Sequence, residues 1–174
     1  MAHFKHQSVR VLYAYCCGYC GLSETDAGGE LTVDHHEPVS AGGDDSDDNL
    51  VYACFRCNLH KGAFTPSEAQ RAQGLRLLHP LRDNLAEHLR ENRETGRLES
   101  LTALGALHIF TLELNRDALI ANRLQRWQQA RLAARLDQAE AEALERDAIL
   151  LRRDAEIRDL KQQLRRMEEQ DNTE

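Results

Sequence analysis

Val33-Asp34-His35-His36-Glu37-Pro38 lies between two cysteine pairs, Cys17-Gly18-Tyr19-Cys20 and Cys54-Phe55-Arg56-Cys57, with 33 residues between the pairs. Each C-x2-C pair makes a tight turn that offers two thiolates on one side. Four such thiolates close a tetrahedral zinc site with Zn–S bonds of about 2.3 Å. The expected ligands of this structural Zn2+ are Cys17, Cys20, Cys54 and Cys57. Cys16-x3-Cys20 is an alternative register, but Cys17-x2-Cys20 has the usual knuckle spacing. A module of this size buries little core, so the metal contributes folding energy.

Local chemistry inside the frame predicts a hairpin followed by a helix. Residues 7–15 read as a short helix feeding the first knuckle. Gly28-Gly29 forms a turn before the β-prone run Leu31-Thr32-Val33. Pro38 to Asp48 is a loop, with two Ser, two Gly and four Asp in eleven residues. Asp48 or Asn49 then reads as the cap of a helix that opens with Leu50-Val51-Tyr52-Ala53-Cys54. That helix carries Asn58 and Lys61 back towards Asp34 and His35.

The ordered set Asp34-His35, Gly42-Gly43, Asn49-Leu50 and Cys54-x2-Cys57-Asn58-x2-Lys61 resembles the HNH endonucleases of the four-cysteine, zinc-stapled bacterial type. The resemblance covers residues 8–64. It implies an α+β chain with a ββα-metal core, and an enzyme that hydrolyses DNA phosphodiester bonds with a divalent metal, nicking or cutting both strands. Such hydrolysis needs a nucleophilic water, neutralised charge on the phosphorus and help for the leaving oxygen. By matching position, the resemblance makes His35 the general base. Asp34 and Asn58 become ligands of a catalytic Mg2+ or Mn2+, ions that favour oxygen donors. Asn49 would hold the hairpin by bonding backbone. Lys61, one turn after Asn58, would meet a substrate phosphate. His36 points to the other face of the strand and stays outside the chemistry. His60 reads as a surface histidine. Asp44, Asp45, Asp47 and Asp48 lack the terminal Glu of an EF-hand and read as a solvated loop.

Three domains are expected: a nuclease core at 1–64, a helical extension packed on it at 65–127, and a long helix at 128–170. Thr65-Pro66-Ser67-Glu68 reads as a helix start with Thr65 as N-cap. The run from His79 to His88, with Gly96-Arg97-Leu98 and Leu114-Asn115-Arg116, resembles the extension that follows the core in many bacterial HNH proteins. Residues 120–168 contain neither Pro nor Gly. Leu136, Ala143, Leu150, Ile157 and Leu164 recur every seven residues, while Arg146 and Arg153 interrupt a second row formed by Leu132, Ala139, Leu160 and Met167. This is a coiled-coil seam about 50 Å long, expected to pair with a second copy or a partner protein. Asp171 to Glu174 read as disordered.

Net charge is −7 over 174 residues. No segment is strongly basic, so counterion release alone does not give tight DNA binding. A metal bridge or a recruiting partner, as in phage defence, would supply what is missing. No stretch has the length of a membrane span, and the unpaired thiols point to the cytoplasm. A second reading is a zinc-stapled binding or assembly module that works through its coiled coil without catalysis.

Overall fold

The computed structural model describes residues 3–171, with side chains described to residue 167. The fold is α+β. The chain forms two compact units, Met1–Trp127 and Gln128–Glu174. In chain order the elements are α1 (His6–Leu12), α2 (Glu24–Ala27), β1 (Thr32–His35), β2 (Leu50–Ala53) and α3 (Phe55–Lys61). Then come α4 (Glu68–Ala72), α5 (Leu85–His88), β3 (Leu89–Glu91), β4 (Leu98–Ser100), α6 (Ala103–Thr111) and α7 (Asp117–Asp171).

The ββα outline holds, but the helix starts later than the sequence suggests. Leu50 to Ala53 form a strand, antiparallel to β1, with Asp34 opposite Val51 and His35 opposite Leu50. A short apolar run has no periodicity that separates strand from helix. Here its two edges decide. One edge pairs with β1, and on the other Gly18 N donates to Tyr52 O at 2.8 Å. All four residues of β2 are buried, so the strand is the spine of the core. Cys54 ends it and serves as the N-cap of α3.

The region 65–127 is less helical than expected. Its first helix is capped by Ser67 with Gln70 in a reciprocal capping box, two residues beyond Thr65. A second antiparallel pair, β3 and β4, interrupts the helical pattern. Each strand opens with a leucine and is otherwise polar, and Arg90 on one strand faces Glu99 on the other. The Asn115 side chain clasps Leu98, accepting from its N at 2.7 Å and donating to its O at 2.8 Å. Leu112, Leu114 and Leu119 join the same core as Val9, Tyr19, Leu50 and Tyr52. Arg123 is buried, and its guanidinium donates to Gly96 O and Leu114 O.

α7 starts at Asp117 and runs through the expected heptad region to Asp171, which the sequence places in a disordered tail. The rest of that tail, 172–174, lies outside the described residues. Every residue from 128 to 167 is exposed, the seam residues Leu136, Leu150, Ile157 and Leu164 included. No helix among the described residues is long and apolar enough to cross a membrane.

Candidate active site

The zinc frame assembles first. The sulfurs of Cys17, Cys20, Cys54 and Cys57 lie within 4.8 Å of one another, from two turns that the sheet brings together. Cys16 stays outside this cluster and bridges to Ser23. A tetrahedral Zn2+ fits the four donors: they are soft, convergent and largely buried. Arg116, just before α7, places its Nη2 3.6 Å from both Cys54 Sγ and Cys57 Sγ. A guanidinium there offsets the negative charge of a four-thiolate site.

β1 sends alternate side chains to opposite faces. Thr32 and Asp34 face α3. Asn58 Nδ2 donates to Thr32 Oγ1 at 3.2 Å. One turn on, Lys61 reaches Asp34 at 3.1 Å and donates to His35 O at 2.6 Å. Tyr19, from inside the first knuckle, donates its O–H to Asp34 Oδ2 at 2.7 Å. Burial pushes the Asp34 carboxyl above its ordinary value, against the pull of Lys61 and Tyr19.

Lys61 is therefore an internal ion pair here, with its side chain 1% exposed, in place of the phosphate contact expected from its spacing. An ion shared by Asp34 and Asn58 has no open carboxylate in this arrangement. The Lys61 ammonium and the Tyr19 hydroxyl already hold the Asp34 oxygens, and a dication beside an ammonium is repelled. The residues as placed do not fit that ion. Breaking one half of a buried pair typically costs about 3–5 kcal/mol. Lys61→Met is thus expected to lower the melting temperature markedly. An unchanged melting temperature with weaker substrate binding would return Lys61 to the phosphate role.

His35 occupies the other face. Its Nε2 lies 2.7 Å from Asp45 Oδ1, and His3 Nε2 lies 3.1 Å from the same oxygen. Hydrogen bonds from His35 and His3 hold the Asp45 carboxyl below its ordinary value, so it is the acceptor. A carboxylate only accepts, so a neutral His35 in this contact carries its proton on Nε2 and a lone pair on Nδ1. The acidic loop is ordered by contacts rather than merely solvated. Lys5 Nζ meets Asp47 at 2.7 Å, and Ser46 Oγ donates to Asp44 at 2.6 Å.

Asn49 closes the loop that aims His35. Its Oδ1 accepts from Glu37 N at 2.7 Å, and its Nδ2 donates to Glu37 O at 3.1 Å and Asp44 O at 2.9 Å. Gly43 fits under this clamp because it has no side chain: a Cβ there would sit 1.9 Å from Glu37 O. No motif marks His3 or Tyr19, and neither the acidic loop nor Leu114-Asn115-Arg116 shows in sequence that Asp45 meets His35 or that Arg116 meets the thiolates. Each acts through a partner on a different element, from 10 residues away for Asp45 and His35 to 62 for Arg116 and Cys54.

Behind the sheet lies a histidine cluster. His36 Nε2 is 3.2 Å from Leu78 O, and its ring centroid is 4.6 Å from that of His79. His60 remains peripheral, 3.4 Å from Glu113. His108 is fully buried, and its Nδ1 accepts from Leu78 N at 3.3 Å. Burial, then the charge of His36, pushes His108 down to about 4. The unfolded chain takes up that proton near pH 6.5, while the folded chain resists it down to about 4. Stability should fall as pH drops through this window, by a few kcal/mol at about 1.4 kcal/mol per pH unit. Thermal melts from pH 7.5 to 4.5 should show a weaker pH dependence for His108→Gln. Parallel profiles for the two proteins would contradict the assignment.

A zinc-stapled hairpin and helix, with a histidine at the end of the first strand and an asparagine clamping the loop, define a small ββα module. Residues 17–64 match the family model of the HNH endonuclease, so this module is similar to that family. No curated protein and no solved structure gives a match to the chain.

Proposed function

We propose that the chain is an HNH endonuclease that hydrolyses phosphodiester bonds of DNA, with His35 as its general base. The observation that carries this reading is the His35–Asp45 pair. With its proton held on Nε2, His35 has Nδ1 free to accept a proton from water. The resulting hydroxide attacks the phosphorus, and the bond to the leaving sugar oxygen breaks. Asp45 then stabilises the imidazolium, as carboxylates do in histidine-based hydrolases. Asn49 fixes the loop that carries both partners.

Mg2+ or Mn2+ is the ion that the family implies. Asp34 would have to leave Lys61 to bind it. Asn58 stands beside Thr32 on the same face as Asp34 and is a candidate for that role only after such a change.

We take residues 65–127 as an extension that completes the core, and the 128–170 helix as an arm that pairs with a second copy or a partner helix. The exposed seven-residue row from Leu136 to Leu164 supports pairing. Arg146 and Arg153 weaken it, which favours a chosen partner over a tight homodimer. Light scattering of the full chain against a chain ending near Arg126 tests the arm, and equal monomers without a co-purifying partner would remove it.

Side-by-side incubation with supercoiled plasmid and with single-stranded RNA tests the substrate class. Faster turnover of the plasmid supports DNA, and cleavage of RNA alone would reject it.

A further inference from the structure

We infer that His3, His35 and Asp45 form a site for a transition-metal dication of the nickel or zinc class, distinct from the four-cysteine site. Binding there would silence the nuclease. This second statement rests on the base role proposed for His35, whereas the metal site itself does not.

The three residues come from separate parts of the chain: the segment before α1, the end of β1, and the acidic loop. Their ligand atoms nevertheless lie within 4.8 Å of one another. Asp45 Oδ1 is the hub, 3.1 Å from His3 Nε2 and 2.7 Å from His35 Nε2. The rings of His3 and His35 meet edge to face at 5.7 Å between centroids. Lys5 on Asp47 ties the first segment to the loop, and the Asn49 clamp holds the loop in turn.

Two imidazoles and a carboxylate are a recurrent donor set for Zn2+ and its neighbours, with open positions left for water. Ligands about 2.0–2.1 Å from one ion stand a little further apart than these atoms do now. The side chains are 20%, 21% and 52% exposed, so they have room to open. The same donors suit Mg2+ poorly, because it prefers oxygen ligands and water.

At present a proton on each Nε2 bridges to Asp45. The Lys5 amide donates to His3 Nδ1 at 3.2 Å, which places the His3 proton on Nε2. An incoming dication takes the place of both bridging protons. Each ring then carries its single proton on Nδ1, at the cost of the long Lys5 contact. For His35 the consequence is direct: a ring that ligates through Nε2 and is protonated on Nδ1 has no lone pair to accept a proton from water. The ion therefore removes the base without touching the fold.

The test uses untagged, zinc-loaded full-length protein, with His3→Ala and Asp45→Ala as variants. Ni2+ is titrated calorimetrically, and plasmid cleavage in excess Mg2+ is followed as Ni2+ is added. The expected result is one Ni2+ bound beyond the structural zinc, weakened at least about ten-fold in both variants. The Ni2+ concentration that halves each protein's own cleavage rate should rise in parallel for His3→Ala. A parent that binds no such Ni2+, or a His3→Ala that binds it like the parent, overturns the site. Binding that depends on His3 but leaves the parent's cleavage unaffected overturns the silencing. If the parent binds Ni2+ through His3 yet cuts no DNA, the proposed activity falls and the metal site stands.

Discussion

His35→Ala is expected to lower the cleavage rate about 10²–10⁴-fold, the usual contribution of a positioned general base. The melting temperature should stay close to the parent's. The side chain is partly exposed and its hydrogen-bond partner is the exposed Asp45, so its loss opens no deep cavity. The zinc frame is not touched, because the sulfurs of Cys17, Cys20, Cys54 and Cys57 lie on other segments. Rates at saturating plasmid, with melting curves on the same preparations, check both halves. Cleavage at the parent rate would rule His35 out as the base. The next histidine, His36, is bound to Leu78 O behind the sheet, so no neighbour stands ready to replace it.

Cys54→Ser should have a larger effect on folding than any change at His35. Cys54 ends β2, caps α3 and supplies one of four thiolates. Losing it removes a zinc ligand at the junction of the strand and the helix that bears Asn58 and Lys61. Apparent zinc-binding energies of about 10–16 kcal/mol in small metal-folded domains exceed the stability of most domains. The variant should lose its bound zinc, its cooperative melt and its activity together. Metal analysis and melting curves would decide this. A Cys54→Ser protein that keeps one zinc and the parent melting temperature would mean that the frame is held by other ligands.

The parts of this site that lie close together in sequence could be read there. The C-x2-C spacing carries its own geometry, so the four ligands follow from the chain alone, and Cys16 falls outside them. Asp34-His35 after a Gly-Gly turn marks the first strand for the same reason. The run Leu50 to Cys54 was harder: its apolar residues fit a helix or a buried strand, and only β1 and Gly18, both distant in sequence, settle it. For Lys61, spacing gives the face of the helix but not the depth of its burial. The lysine lies on the same face as Asn58, yet that face packs on Asp34. The β3–β4 hairpin is not legible in the sequence because each strand is three residues long, too short for an alternation to mark it. Glu91 finds its partners in Arg126 and Trp127, 35 and 36 residues away. His3 and Asp45 are 42 residues apart and carry no motif.

A time course on supercoiled plasmid shows whether this zinc-stapled domain cuts DNA. Zinc-loaded, folded protein is incubated with plasmid, with Mg2+ or Mn2+ supplied and without, and the circles are resolved by electrophoresis. The parent is expected to convert supercoiled to nicked or linear DNA steadily, and His35→Ala to do so no faster than background. Plasmid left intact by folded parent protein under every divalent ion supplied would contradict that expectation.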